Sequence, residues 1–239
     1  MNLLHLDKID STNKYAKENI TQIPDGTIVY ADIQTAGRGR LNRKWNDTGI
    51  ENIYASIVLK PSEKFVDCYS NLTQFLCLII CYTLEDYGVN PKIKWPNDIQ
   101  INKKKISGIL AEAVMVEGAL KGIVLGFGIN LNTSQNILDK IDQPATSLNI
   151  ETGKTIDKKE FLDKLTKKFC LLYNKFLEDG FLLIKDDYIR RAGFLKQEVT
   201  VRLPDKDVSG IAEGVTDTGA LILKDKNNKE HILLIGDIL

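Results

Sequence analysis

Residues Gly26 to Lys60 read GTIVYADIQTAGRGRLNRKWNDTGIENIYASIVLK. Two β-branched runs, GTIVYADIQ (26–34) and NIYASIVLK (52–60), predict a pair of strands. Between them lies an irregular stretch of seventeen residues, Thr35 to Glu51. A connection that long inside a compact domain is usually functional or mobile. Its first part, QTAGRGRLNRKW (Gln34 to Trp45), carries four cations and no acid, although 32 Lys+Arg balance 32 Asp+Glu over the whole chain. Clustered like charges repel and glycines weaken helix and strand interiors, so something outside the segment must compensate.

Gly37 and Gly39 permit positive φ and close backbone approach, so their N–H groups can point at a ligand. Arg38, Arg40 and Arg43 offer planar forks for carboxylate or phosphate oxygens. The segment reads as an anion cradle, or as a basic loop that is solvated or grips RNA. It is neither a Walker sequence nor GxGxxG. Zero net charge gives no electrostatic basis for bulk binding to nucleic acid or an anionic membrane. A small anion suits the loop better.

A length of 239 residues, 43% hydrophobic and 27% charged, fits one main globular domain with room for a small appendage. The longest apolar run, FLCLIICY (Phe75 to Tyr82), falls short of the ~20 residues a bilayer span needs and reads as a core helix. The N-terminus lacks the apolar stretch of a secretory signal, so a cytoplasmic location is expected. Cys68, Cys77, Cys81 and Cys170 are irregularly spaced and read as reduced, buried thiols. Only His5 and His231 could add nitrogen ligands or serve a Ser-His-Asp triad, so zinc and triad chemistry are not expected.

LLHLDKI (3–9) alternates as a strand, and DSTNKYAKEN offers Asp10, Ser11 or Thr12 as the cap of a short helix. Residues 67–88 predict a long buried helix stopped by Gly88. PKIKW is a short strand, and NDIQINKKKISGILAEAVMV is a hairpin turning near Asn102 and Lys103. GALKGIVLGFGINLN is a further strand. Residues 155–180 place Phe161, Leu165, Phe169, Leu172 and Phe176 at helical spacing, and a second helix follows to Arg191. From about Phe194 four short strands, EVTVRLP, VSGIAEGVT, GALILKD and KEHILLIG, predict a small β-barrel packed on the main domain. The expected division is 1–192 and 193–239.

Four further pieces could carry chemistry. In KWPND (Lys94 to Asp98), Pro96 marks a strand end, after which Asn97 and Asp98 either form a plain turn or meet substrate. In NKKKISGIL the lysines either blunt an edge strand or send one of Lys103, Lys104 and Lys105 inward, and composition does not choose among them. In GFGINLN, alternate glycines Gly126 and Gly128 leave one strand face bare for a flat ligand, or simply allow a tight bend, and Asn130 can read a purine edge. DSTN caps a helix and would also suit a neutral polar head group.

In this order, STN, QTAGRGRxxRxW, KWPND, KxxGIL and GxGINLN, with ATSL (Ala145 to Leu148) downstream, resemble the biotin–protein ligase family over nearly the whole chain. The resemblance implies an α+β fold of the class II synthetase-like, biotin–lipoate ligase type. Its mixed β-sheet catalytic domain is flanked by helices, and the C-terminal barrel resembles an SH3-like domain. It implies ATP and Mg2+ as requirements, with biotin as substrate. Biotin is joined to ATP as biotinyl-5′-adenylate, then passed to a lysine of a biotin carboxyl carrier protein. The loop's charge would then be offset by phosphates and carboxyl-derived groups, and the chemistry would need positioning and electrostatics rather than histidine.

By the same resemblance Ser11, Thr12, Asn13 and Gln34 line the ureido pocket, with Arg38, Gly39, Arg40 and Gly108 also at biotin. Arg40 and Arg43 handle adenylate and pyrophosphate oxygens, and Trp45 covers the closed site. Lys105 holds the biotin carboxylate and reacting phosphate. Asp98 partners magnesium or phosphate, Asn130 reads adenine, and Gly126 and Gly128 form a backbone platform. Lys105, Arg40 and Asp98 form the implied catalytic set. The loop is expected to order over a water-sensitive mixed anhydride.

Asn42 stands where relatives often have glycine and tolerates the left-handed region. The chain begins at the catalytic strand, so operator binding and repression are not expected. It stops at IGDIL, which puts an ATP contact from the tail in doubt. Exposed sheet edges are compatible with a homodimer. The rival readings are a lipoate–protein ligase or octanoyl transferase, which needs a long apolar tunnel, and a non-catalytic biotin-sensing or RNA-binding module, which would not need Lys105 and Asp98.

Overall fold

Strand β1 (Asn2–Ile9) and helix α1 (Thr12–Glu18) open the chain, with Ser11 as the N-cap, its Oγ accepting from Lys14 N. The computed structural model describes residues 1–60 and 62–239, apart from the side chains at 42, 63, 66 and 67. The two β-branched runs form β2 (Thr27–Gln34) and β3 (Ile53–Leu59). After α2 (Leu72–Glu85) come β4 (Lys92–Lys94), β5 (Asp98–Ile101), β6 (Lys104–Val116) and β7 (Ala119–Ile129). These seven strands form one sheet in the order β1-β2-β3-β7-β6-β5-β4. β1 and β2 pair in parallel across the α1 crossover and every other neighbouring pair is antiparallel, so the sheet is mixed as expected.

Alternation along the strands separates two faces. Ile28, Ile57, Leu125 and Phe127 enter the large core. Val29, Val58 and Val124 pack with Ala16, Ile20 and Val114 in a smaller cluster beneath α1. The large core is closed by α2 and α5 (Lys158–Asp179), where Phe75 stacks on Phe176 at 4.4 Å and meets Phe169 edge-on at 5.2 Å. Short helices α3 (Gln135–Leu138) and α4 (Leu148–Thr152) precede α5, and α6 (Lys185–Arg191) follows it.

The expected single helix over 67–88 is instead a 3-10 segment, Glu63–Asn71, followed by α2. At the junction the Asn71 amide donates to Gln74 and to Thr218 O rather than capping α2. The C-terminal strands are β8 (Glu198–Arg202), β9 (Asp207–Val215), β10 (Leu221–Lys224) and β11 (Glu230–Leu233), plus a fifth that pattern reading missed, β12 (Asp237–Ile238). Two residues are too few to show a period. The sheet runs β11-β10-β9-β8-β12 and is antiparallel and open rather than a closed barrel. It shares the large core through Val201, Ala212 and Leu221, and is tied down by Gln74 Nε2 donating to Gly219 O.

Cys68, Cys77 and Cys81 are buried, but Cys170 is exposed on α5, which corrects the expectation of four buried thiols. Among the described residues, no helix is long and apolar enough to cross a membrane.

Candidate active site

The α1 face of the sheet carries the site because Gly108, Gly126, Gly128 and Ser56 leave its middle without bulk. Register aligns Lys94, Asp98, Gly108, Gly128 and Tyr54 in one row across β4, β5, β6, β7 and β3. The neighbouring row is Leu110, Gly126 and Ser56. With no Cβ at 126 or 128, other groups reach the backbone. A Cβ at Gly126 would fall inside the Asn13 carboxamide, and one at Gly128 inside the Trp45 indole, 2.5 Å from Nε1. The bare strand face read from GFGINLN is therefore real. In this structure side chains of the protein itself occupy it.

At one end of the row a buried polar network organises the start of α1. Gln34 Oε1 accepts from Thr12 N at 2.9 Å and from Thr12 Oγ1 at 3.1 Å. Ser56 Oγ lies 2.8 Å from Thr12 Oγ1 and donates to Asn13 Oδ1 at 2.6 Å. Asn13 Nδ2 donates to Leu110 O and to Glu112 Oε2, and Lys17 Nζ reaches Glu112 Oε1 at 2.6 Å. Burial acts to raise the Glu112 pKa, but hydrogen bonds from Lys17 and Asn13 outweigh it and hold the carboxyl below its ordinary range. The amides of Gln34 and Asn13 are thus fixed in orientation, with Gln34 Nε2 turned toward Gly37.

At the other end the KWPND turn closes onto β6 through Asn97, whose O accepts from Ile109 N and whose Nδ2 donates to Ile109 O. Asn102 and Lys103 take positive φ and form the hairpin turn where the sequence places it. The three-lysine ambiguity is resolved by a β-bulge. Ile99 pairs with Ser107 but Gln100 with Lys105, so Ile106 is an extra residue. Gln100 lies on the same face as Asp98, and the bulge turns Lys105 onto that face with it. Lys103 and Lys104 are exposed. Lys105 Nζ stands 2.8 Å from Asp98 Oδ1, with the two side chains 16% and 15% exposed. The pair is close but poorly aligned for a hydrogen bond, so Oδ1 remains a buried acceptor with unused capacity.

The arginine loop folds into a miniature hairpin. Arg38 bridges Lys44, Gly39 N donates to Arg43 O at 2.7 Å, and Trp45 N donates to Gly37 O at 3.0 Å. The Gly39 N–H is therefore spent inside the loop, and Gly39 is extended at φ −110. Leu41 takes the left-handed conformation at φ 52, next to Asn42, whose side chain lies outside the described residues. Gly37 is required by close approach, since a Cβ there would meet Gln34 Nε2 at 2.5 Å and Trp45 O at 2.6 Å. Trp45 lies across Gly108 and Gly128, its ring 5.5 Å from Lys105 Nζ, with Nε1 buried and without a hydrogen-bond partner among the described residues.

One cavity of about 90 Å³ is lined by Ser11, Thr12, Asn13, Gln34, Arg38, Gly39, Arg40, Arg43, Trp45, Asp98, Lys105, Gly108, Gly126 and Gly128. Every site residue expected from the sequence is there except Asn130. Asn130 lies behind the cavity and is 4% exposed, its Nδ2 donating to Thr146 O and its N to Ile106 O. ATSL helps to hold that strand end, with Thr146 N donating to Lys105 O and Leu148 N to Asn130 O.

Sequence reading missed Lys44, Lys94, Gln143 and Asp237, which also line the cavity, and Ser56 and Glu112, which position its polar end. Burial lowers the Lys94 pKa, opposed by the charge of Asp98. Ser56 had a signal, the one serine among the aliphatic and aromatic residues of β3. Asp237 had a weaker one, an acid set between Gly236 and Ile238.

Residues 6–130 match the biotin/lipoate A/B protein ligase family, and residues 194–239 match the biotin protein ligase C terminal domain. The bifunctional ligase/repressor BirA of Bacillus spizizenii is 33% identical over 233 residues, 96% of this chain and 71% of that protein. The biotin–[acetyl-CoA-carboxylase] ligase of Paracoccus denitrificans is 30% identical, covering 95% of this chain and 96% of that one. In structure, the biotin protein ligase of Aquifex aeolicus in complex with biotin and ATP superposes with a TM-score of 0.83 at 31% identity, over 100% of this chain and 97% of that one. With its N-terminal 6–130 and C-terminal 194–239 segments matched by family, relatives at 30–33% identity and its fold superposed over the full chain, the chain belongs to the biotin–protein ligase family.

Proposed function

We propose that this chain is an ATP-dependent biotin–protein ligase. It forms biotinyl-5′-adenylate with release of pyrophosphate, then transfers the biotinyl group to a lysine of a carboxylase's biotin carboxyl carrier protein. One observation carries this proposal. A single cavity joins a buried neutral polar end to a cationic end, with Lys105 and Asp98 between them.

The polar end suits a ureido group, which has two N–H donors and one carbonyl acceptor. Ser11, Thr12, Asn13 and Gln34 supply hydroxyls and oriented amides, with the Arg38 and Gly39 backbone and Gly108 closing the wall. A carboxylate oxygen of biotin attacks the α-phosphorus of ATP, and the bond to the β-phosphate oxygen breaks. Lys105 lies where it can hold the two like-charged reactants together, and Arg40 and Arg43 meet the charge that develops on pyrophosphate. In the second step the carrier amine attacks the acyl carbon and AMP leaves.

Magnesium takes oxygen ligands. Asp98 Oδ1, buried with acceptor capacity unused, fits that donor class, with phosphate oxygens supplying the rest. A bound ion would add positive charge beside the reacting phosphate. Asn130 acts on the adenine side, by direct contact after a shift or by holding the wall formed by Thr146 and Ile106. Residues 1–192 serve as the catalytic unit and 193–239 as its SH3-like appendage, in the cytoplasm, where ATP and carrier meet.

The cavity is small beside the roughly 300–1,000 Å³ of typical ligand sites, because Trp45 lies in it. Ligand entry therefore requires the loop to lift the indole off Gly128, after which Trp45 can cover the adenylate.

Incubation with biotin, MgATP and a carrier fragment, read by mass spectrometry, tests the proposal. One added biotinyl group is expected, and the absence of both the mass gain and pyrophosphate release would refute the proposal. Biotin with ATP should raise the melting temperature, whereas lipoate with ATP should not.

A further inference from the structure

The arginine loop was legible as a segment in need of an external anion. In this structure that anion comes from the far end of the chain. Asp237, on β12 and 5% exposed, lines the cavity. Its Oδ1 stands 3.5 Å from Arg40 Nε and its Oδ2 3.6 Å from Arg43 Nη1, while Gly236 O accepts from Arg40 Nη2 at 3.2 Å. The backbone aims it there. Asp237 pairs with Arg202 of β8, Leu239 N donates to Thr200 O, and Gly236 turns at φ 134, where a Cβ would strike Val201 Cγ1.

Two features distinguish this carboxylate from an ordinary structural acid. It is deeply buried, yet Oδ2 has no hydrogen-bond partner among the described residues. Both arginines lie beyond the 2.7–2.9 Å of a direct charge-assisted bond. Asp237 therefore holds the guanidiniums by charge, without the short directional bonds that would make the hold hard to exchange. Around it the cavity gathers Arg38, Arg40, Arg43, Lys44, Lys94 and Lys105 against only Asp98 and Asp237. A polyphosphate would meet the same guanidiniums with more charge and shorter bonds.

We propose that Asp237 is a positioning residue, the resident counter-ion of the arginine loop. It holds Arg40 and Arg43 over the cavity before nucleotide arrives and yields them to the ligand's phosphates, so the C-terminal sheet sets the threshold for loop exchange. This rests on the nucleotide-binding reading above. The carboxylate competes with phosphate for the same two cations, so removing its charge tightens polyphosphate binding while loosening the empty loop.

Calorimetry of the full chain with inorganic pyrophosphate, and with MgATP in the presence of biotin, tests it. Asp237→Asn is expected to bind pyrophosphate about two- to tenfold tighter than the parent, and Asp237→Glu to stay near the parent. Without ligand, trypsin is expected to cut the Asn variant faster at the arginines and lysine of the loop, and pyrophosphate to protect both proteins. Equal or weaker pyrophosphate binding by a folded Asn variant overturns the proposal, since an acid that merely supports the fold gives that result.

If the Asn variant does not fold, the parent decides. Salt screens the ion pairs, so rising salt must speed cleavage within the loop relative to sites elsewhere, and a salt-independent ratio overturns the proposal. A parent that binds neither pyrophosphate nor MgATP removes the nucleotide-binding reading itself, and that is seen before any substitution is made.

Discussion

Truncating Lys105 separates chemistry from stability in a measurable way. Its Nζ is 2.8 Å from Asp98 Oδ1 and both side chains are largely buried. Lys105→Ala therefore removes a cation from the reacting centre and also strands a carboxylate. Losing a preorganised electrostatic group at developing charge costs about 10²–10³ in rate, roughly 2.7–4 kcal/mol. The stranded Asp98 costs about 1–3 kcal/mol of stability, a fall in Tm of about 2–12 °C for a chain of this length.

The two effects part company in the double variant Asp98→Asn/Lys105→Met. Neutralising both partners restores most of the Tm but not the rate, because no cation returns. Lys104→Ala, on an exposed neighbour, should behave as the parent does. Pyrophosphate release under single-turnover conditions, with adenylate quantified by mass spectrometry, reads the chemistry, and calorimetric melting reads the stability. Pyrophosphate release by Lys105→Ala at the parental rate would refute the role assigned to Lys105. Recovery of rate in the double variant would refute the electrostatic origin of the loss.

Gly128→Ala places a methyl where the Trp45 indole lies, so the ligand-free protein should show red-shifted, more quenchable tryptophan emission against the buried background of Trp95. Unchanged emission would mean that the indole does not rest on that strand. Ser56→Ala removes the donor to Asn13 Oδ1, leaving a buried acceptor unpaired at about 1–3 kcal/mol. Biotin affinity by calorimetry should fall about tenfold while pyrophosphate affinity holds, and an equal loss of both would point to general unfolding. Glu112 is held below its ordinary value near 4.5, so its stabilising contribution is present above that pH and is lost as pH falls through the lower folded value. The Tm of the parent should therefore drop more steeply than that of Glu112→Gln below pH 4.5, and parallel curves would remove Glu112 from the acid response.

What the sequence made legible and what it hid divide along a physical line. Strand positions, the α1 cap, the Asn102–Lys103 turn and the bare face at Gly126 and Gly128 follow from interactions a few residues long, which period and residue type report directly. Choosing Lys105 needed one more step. Alternation counted back from Gly108 leads to Lys104 rather than Lys105, and only the extra residue Ile106, opposite the Ile99–Gln100 step, re-aims Lys105 toward Asp98. A bulge is fixed by pairing with another strand, so no local pattern announces it.

The occupants of the bare face were hidden for the same reason. That Asn13 fills the space over Gly126 and Trp45 the space over Gly128 depends on contacts across roughly a hundred residues, set by how α1 and the loop pack. Asp237 is the extreme case, about two hundred residues from Arg40 and carried by a two-residue strand. Yet a charge imbalance is itself a long-range prediction. A neutral chain that concentrates four cations without an acid must bring counter-charge from somewhere, and in a folded site the choices are the ligand or a distant part of the chain. Here the same loop faces a distant carboxylate, and a ligand that replaces that carboxylate must bring enough charge to win the exchange. A triphosphate satisfies that condition, whereas a neutral head group alone does not. If Asp237 acts as the proposed counter-ion, the loop's composition constrains the order of events as well as the site, because the full release of Arg40 and Arg43 would await the nucleotide.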